Sequence, residues 1–415
     1  MKLNTDAVQK LKRDFPLLAN SGKLIYVDNA ATTQKPKQVI AAMDTFYRTQ
    51  YAAVHRGLYP LASNATQLFE DARKKVAQFI NAPQPSEIIF THGTTESLNG
   101  LATSLHSLLS RLPASKDRKK ILLTEMEHHA NIVPWQQFAK RHGYSIDYVS
   151  LDDDYKLSMQ QLKAKLTTDV AFIAFTHVSN VLGTVNPVNE ICKLAKQNGV
   201  ITIIDGAQAV AHQPVDVQVI GCDFYAFSAH KLYGPTGVGV LFGRYELLQL
   251  LEPFSFGGHM IEFVTKHDAN WAAIPQRFEA GTPPIADVIG LSAAITYLEH
   301  IGLDEISTWE SELTRYAISR LSEVSGIELF HTKEGKMSGI ISFVIHGVHA
   351  HDIASLTGDD GVCIRAGHHC AMPLNQILDT PATARMSFGL YNTMEDVDTV
   401  VNSLKRVSAI FGGKR

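Results

Sequence analysis

Between residues 85 and 243 the chain repeats one pattern that few folds can satisfy. Short runs rich in Ile, Val, Phe and Thr occur at Glu87–Thr91, Lys120–Thr124, Ser145–Leu151, Val170–Thr176, Val200–Asp205, Phe224–Ser228 and Gly237–Phe242, with helical or loop segments between several of them. The runs lack a clean apolar–polar alternation, as strands buried on both faces do. Interleaved with helices, they predict an α/β domain built on a mostly parallel seven-stranded sheet. After Thr282-Pro283-Pro284 the character changes. Two helical stretches follow, the second with Ile306, Trp309, Leu313, Tyr316, Ala317 and Leu321 at helical spacing. Next come a strand at Ile340–Ile345, a Gly- and His-rich loop, and a last helix with Val397, Val400, Val401, Leu404, Val407 and Phe411 on one side. The expected division is a large domain over 20–284 and a smaller α+β domain over 285–415. A short helix within 1–19, with Val8, Leu11 and Phe15 on one face and Pro16 as its stop, is expected to pack on the small domain.

Composition narrows the function classes. A chain of 415 residues with 45% apolar and 19% charged residues can bury a sizeable core. The net charge of −3 gives no general attraction to nucleic acid or to an anionic membrane surface. Lys2, Asp6, Lys10, Lys12, Arg13 and Asp14 interrupt any signal-like apolar stretch, and no run is long enough to span a bilayer. Four cysteines do not make a disulfide scaffold. The expectation is a cytoplasmic protein with reduced thiols.

In open α/β sheets ligands gather beyond the carboxyl ends of the strands, so the residues after each run carry the chemistry. His92-Gly93-Thr94-Thr95-Glu96-Ser97 offers a turn glycine, hydroxyls and helix N–H groups suited to a phosphate; it also reads as an ordinary N-cap. Glu127-His128-His129 offers imidazoles for stacking or proton transfer, or for packing alone. Asp205 closes a buried strand, where a carboxylate needs a cation, and Gln208 follows it. Ser228-Ala229-His230-Lys231 places a lysine where desolvation lowers its pKa and makes it a usable nucleophile or base. Pyridoxal 5′-phosphate (PLP) needs such a set: a lysine for its aldehyde, a carboxylate for its pyridinium nitrogen, and hydroxyls with N–H groups for its phosphate.

Asp205-Gly206-Ala207-Gln208, Ser228-Ala229-His230-Lys231-Leu232-Tyr233-Gly234-Pro235, Glu127-His128-His129-Ala130-Asn131 and Arg365-Ala366-Gly367-His368-His369-Cys370-Ala371 resemble the class V aminotransferase family of PLP enzymes, and more closely its SUF-type cysteine desulfurases. The likeness runs from Tyr26-Val27-Asp28-Asn29-Ala30-Ala31 to Tyr391-Asn392-Thr393. It implies a fold-type I PLP-dependent transferase that converts L-cysteine to L-alanine and supplies sulfur for iron–sulfur cluster assembly. By the same resemblance, Lys231 binds PLP and moves protons at the substrate Cα, Asp205 pairs with the ring nitrogen, Gln208 bonds the ring hydroxyl and His128 stacks on the ring. Thr94, Thr95, Ser228 and His230 hold the phosphate. Asn180, Arg365 and Arg385 bind substrate, the arginines suited to a carboxylate. Cys370 takes the sulfur. Thr282, in Glu279-Ala280-Gly281-Thr282, is a phosphate ligand donated by the second subunit of a homodimer.

Cys370 also stands on its own chemistry, on a Gly-containing loop beside His368, His369 and Arg365. Cys363, between Val362 and Ile364, reads as a buried structural cysteine. A zinc site from Cys363, His368, His369 and Cys370 lacks the usual paired spacing, so no metal is expected. The short cysteine loop implies a dedicated sulfur acceptor of the SufU or SufE type, SufU somewhat favoured by His349 and His351, with His351 as a partner contact. Pro284 stands where the family often has Asn. Selenocysteine lysis or another class V PLP reaction remains the alternative, and a non-catalytic scaffold the distant one.

Overall fold

A computed structural model describes residues 2–113, 115–333 and 335–411. All seven predicted runs form strands of a single sheet: β1 (Ile88–Thr91), β2 (Lys120–Thr124), β3 (Ser145–Val149), β4 (Val170–Thr176), β5 (Ile201–Asp205), β6 (Phe224–Ser228) and β7 (Gly239–Gly243). Their order is β1-β7-β6-β5-β4-β2-β3. Only β7 runs against its neighbours, being antiparallel to both β1 and β6. Every residue of β4, β5 and β6 is buried, which is why these runs read as continuous apolar stretches. Successive side chains feed separate cores on the two faces: Ile88 and Phe90 lie in one, Ile89 in the other.

The C-terminal part has its own four-stranded sheet, in the order Ile327–Phe330, Ile340–Ile345, Thr383–Ser387, Arg365–Gly367. Ile25 and Val27 share a core with residues of the helices at Leu303–Leu321 and Met394–Ile410. Thr393 and Asp396 cap the last helix reciprocally, satisfying its first N–H groups. Phe411 lies beyond that helix and is 41% exposed, unlike the apolar face that the heptad-like spacing extends to it.

The expected N-terminal helix is two, Thr5–Lys12 and Pro16–Asn20. Pro16 does not only stop the first; it opens the second, where its missing N–H has no helical partner to lose. Val8 and Phe15 pack into the same core as the main sheet, while Lys12 reaches Asp396 of the last helix at 3.1 Å. The segment therefore touches both parts rather than the C-terminal part alone.

One buried ion pair ties the loop before residue 282 to the sheet. Arg73, 1% exposed, donates to both carboxylate oxygens of Glu279 at 2.7 and 2.8 Å, and Phe90 N–H donates to the same carboxylate at 2.7 Å. The guanidinium also lies over the Phe69 and Phe90 rings. Glu279→Ala should destabilise the fold by about 2–4 kcal/mol in urea unfolding, because it leaves the buried Arg73 with only the partly exposed Glu70, 2.9 Å from Nε, as counter-ion and takes the acceptor from the Phe90 N–H.

Candidate active site

The carboxyl ends of β1, β2, β4, β5 and β6 open onto a cavity of about 240 Å³ closed on the far side by the C-terminal sheet. From the main sheet it collects Thr94, Thr95, His128, Asn180, Asp205 and Gln208, with Ser228, His230 and Lys231 from the β6 end. From the C-terminal part come Arg365, Cys370 and Arg385. Thr282 does not line this cavity; it is exposed on the loop that Arg73 and Glu279 anchor.

Gly93 precedes the helix Thr94–Arg111 with φ 153° and ψ 172°, a region open essentially to glycine. That turn brings Thr94 N–H and Oγ1 each to 2.8 Å from Ser228 Oγ, so the helix start and the β6 end are joined. Gly239 lies so close to Gly93 that a Cβ there would sit 2.4 Å from its Cα.

Asp205 and Lys231 come from adjacent parallel strands. Burial raises the Asp205 carboxyl above its usual range, opposed by the Ala207 N–H at 3.0 Å and by the Lys231 charge. Burial pushes the Lys231 amine down to about 8, with Asp205 opposing. His128 is pushed to about 3 by burial, then by Lys231, so its ring is neutral. Its Nδ1 accepts from Ala130 N–H at 3.0 Å, which places the ring proton on Nε2. His230 is likewise held neutral, near 4, by burial, Lys231 and Lys35. Gln208 Nε2 donates to the Ala30 carbonyl at 2.7 Å.

Cys370 is exposed and sits in an unusual backbone: φ is 49° at His369 and 57° at Cys370, both left-handed without glycine. Neighbours fix this turn. His129 N–H donates to the Cys370 carbonyl and Asn180 Nδ2 to the His369 carbonyl, each at 2.6 Å. Met372 N–H donates to His129 Nε2 at 3.0 Å, and the His369 ring lies 2.9 Å from Thr383 Oγ1. The amide of Asn180 thus holds the cysteine loop, and its carbonyl takes a hydrogen bond from Arg385 Nη1 at 2.8 Å.

Cys363 differs from the buried cysteine expected of it. It is half-buried, because its strand is only a two-residue parallel bridge to Ile25–Tyr26 at the edge of the molecule. Two site groups were not singled out in the sequence. Asp28 Oδ1 pairs with Arg385 Nη2 at 3.2 Å, and an acidic residue after Ile25-Tyr26-Val27 was the available signal. Glu127, wholly buried beside His128 and pushed by burial to about 8, accepts from Thr176 N–H at 3.0 Å and Asn131 Nδ2 at 2.6 Å.

The residues present fit PLP. Gln208 Oε1 and Arg385 Nε are buried without a partner among the described residues, and both belong to residues lining the cavity. The same cavity holds a desolvated lysine, a buried carboxylate and a hydroxyl-lined helix start, which are the donor set such a group takes.

Residues 25–400 match the aminotransferase class-V family. The chain belongs to that family. Among its relatives, a probable cysteine desulfurase of Halalkalibacterium halodurans is 46% identical over 97% of this chain and 98% of its own length. The apo structure of a cysteine desulfurase from Thermococcus onnurineus superposes with a TM-score of 0.91 at 38% identity, covering 96% of this chain and 97% of that one. The cysteine desulfurase CsdA of Escherichia coli, with an S-sulfonic acid, gives 0.89 at 36% identity over 98% and 99%. The class-V family is the one the motifs resembled, and the mostly parallel sheet is the one the strand pattern predicted.

The neutral His128 has a linkage consequence. An unfolded imidazole takes up its proton near pH 6.5, the folded one only near 3, so wild-type stability is lost as pH falls below 6.5. His128→Gln should therefore gain stability relative to wild type by roughly 1 kcal/mol per pH unit below about 6.5, read from urea midpoints of the cofactor-free proteins. A constant difference across that window would show that the His128 ring titrates alike in the folded and unfolded chain, and so is not held neutral by the fold.

Proposed function

We infer that this class-V protein is a PLP-dependent cysteine desulfurase that converts L-cysteine to L-alanine and carries the sulfur as a persulfide on Cys370. The observation that carries the reading is the presence of an exposed thiol, Cys370, in the same small cavity as Lys231 and Asp205. A transaminase has no use for a thiol there. The 36–46% identity to cysteine desulfurases over nearly whole chains supports the same reaction.

When bound through Lys231, PLP supplies an electron sink for the bond changes at the substrate. Asp205 would hold the ring nitrogen, and Gln208, whose Oε1 is free of partners among the described residues, would take the ring hydroxyl. His128 presents a neutral face for stacking. Thr94, Thr95, Ser228 and His230 hold the phosphate. Arg385, with Arg365 and Asn180 nearby, receives the substrate carboxylate. Released by substrate, Lys231 takes the Cα proton; burial lowers its amine to about 8, so a minor but usable share is neutral near pH 7. The Cys370 thiolate attacks the substrate Sγ, forming an S–S bond as the Cβ–Sγ bond breaks, with that electron pair going to the carbon skeleton. Protonation at Cβ and return of a proton at Cα give L-alanine.

The pinned turn at His369–Cys370 does not let the thiol travel far, so the persulfide sulfur leaves on an acceptor that comes to it. A thiol-bearing SufU- or SufE-type protein serving iron–sulfur assembly in the cytoplasm fits, with His349 and His351, exposed at the start of the helix Ala350–Asp359, as contacts for the former. The working unit is a homodimer in which Thr282 completes the partner's phosphate site. Exposed Leu58 (100%), Phe256 (65%) and Phe263 (60%) favour a covered surface. Residues 20–284 are the cofactor-binding domain and 285–415 the small one, a division the separate four-stranded sheet supports, with Ile25 and Val27 crossing it to pack in the C-terminal core.

Cys370→Ser should keep the visible absorbance of the lysine-bound cofactor and lose alanine release from cysteine by roughly two orders of magnitude or more. Lys231→Ala should lose the covalent attachment that borohydride reduction and intact mass detect in wild type. Normal persulfide formation by Cys370→Ser would sink the assignment of the nucleophile. His351→Ala should lower acceptor-stimulated turnover several-fold and leave basal turnover alone; unchanged stimulation would remove the contact.

A further inference from the structure

Arg365 and Arg385 stand directly opposite each other on antiparallel strands. Like charges in that register repel, and Arg385 is buried, so the pair needs an anion. Asp28 supplies it. Its Oδ1 lies 3.2 Å from Arg385 Nη2 and its Oδ2 4.0 Å from Arg365 Nη1. The Asp28 backbone is fixed by a parallel bridge to Ser387, two residues along the strand from Arg385, and by Ala31 N–H donating to its carbonyl at 3.1 Å. The carboxylate itself is tied only loosely: among the described residues these two arginines are its only side-chain partners, and it is 23% exposed. Arg385 Nη1 is already committed to the Asn180 backbone carbonyl, and Nε has no partner among the described residues. An incoming carboxylate therefore meets a guanidinium whose Nη2 is shared with a resident carboxylate of the same charge.

We propose that Asp28 is the resident counter-ion of Arg385, exchanged for the substrate's carboxylate on binding and restored when L-alanine leaves. It is a positioning residue acting through Arg385, and it sets how tightly an amino acid is held. The proposal rests on the reading of Arg385 as the carboxylate ligand. With Asp28 in place, half the charge of the arginine pair is offset before substrate arrives, and a bound carboxylate has to compete with it. Binding is weakened, and product release is made faster, by about the worth of one partly exposed ion pair.

The direction of the effect makes the test decisive, since damage to the fold weakens ligand binding and does not strengthen it. L-Alanine binding to the PLP-loaded enzyme is measured by isothermal titration calorimetry for wild type, Asp28→Asn, Asp28→Ser and Arg385→Lys. The two Asp28 variants should bind L-alanine roughly five-fold more tightly. In turnover they should show a lower KM for L-cysteine and an unchanged or lower kcat, with the cofactor's visible spectrum unaltered. Arg385→Lys should bind L-alanine more weakly. Unchanged or weaker binding by both Asp28 variants, with Arg385→Lys weakened, overturns the counter-ion role and leaves Arg385 as ligand. Wild-type binding by Arg385→Lys overturns the assignment of Arg385 itself, and the proposal with it.

Discussion

The molecule is organised around two opposite charges held out of water at the ends of neighbouring strands. Asp205 and Lys231 close β5 and the turn after β6, strands paired in parallel so that both ends point the same way. Each is costly alone: burial raises the acid and lowers the amine. Together they are tolerated, and neither is fully satisfied by the other. That incomplete satisfaction is the chemical resource of the site, since a carboxylate still seeking a cation and an amine near 8 are what a pyridine aldehyde needs. The parallel sheet makes the arrangement possible. In an antiparallel sheet of the same strands, adjacent carboxyl ends would lie on opposite edges.

A second constraint comes from the C-terminal part. Cys370 is held largely by loops that follow strands of the main sheet, through His129 and Asn180. Two consecutive left-handed residues without glycine are each unfavourable, and they persist because the surrounding hydrogen bonds determine the turn. Cys370 is thereby placed in the lining of the cavity by contacts between the two parts of the chain. Any change in their relative position would move the thiol with respect to Lys231.

The strands and the residues after them were legible because burial on both faces leaves an uninterrupted apolar signature, and because ligand chemistry in such sheets falls at strand ends. Twelve of the thirteen residues expected at the site meet in one cavity; Thr282 lies elsewhere on this chain. What escaped were charges whose partners are remote in sequence. Arg73 and Glu279 are 206 residues apart, and Asp28 meets Arg385 across 357. Nothing local marks either pair, and each is stable only in a folded context that removes water from both sides. Pro16 and Cys363 were misjudged for a related reason: a proline can begin a helix as readily as end one, and flanking apolar residues do not bury a side chain on a two-residue edge strand.

The buried charges divide by how firmly they are held, and that division follows their roles. Glu279 receives three hydrogen bonds from Arg73 and the Phe90 backbone and leaves no oxygen idle, as suits a group that only fixes a loop. Asp28, Asp205 and Arg385 each retain unmet bonding capacity beside the cavity. A site that exchanges ligands on every turnover cannot satisfy its own polar groups completely, because each internal bond must be broken to admit the substrate. The loosest of the three, Asp28, is also the one whose partners can be shared with an incoming carboxylate. The stability lost by leaving these groups half-satisfied is recovered where nothing has to move, in the dry cores on either face of the sheet.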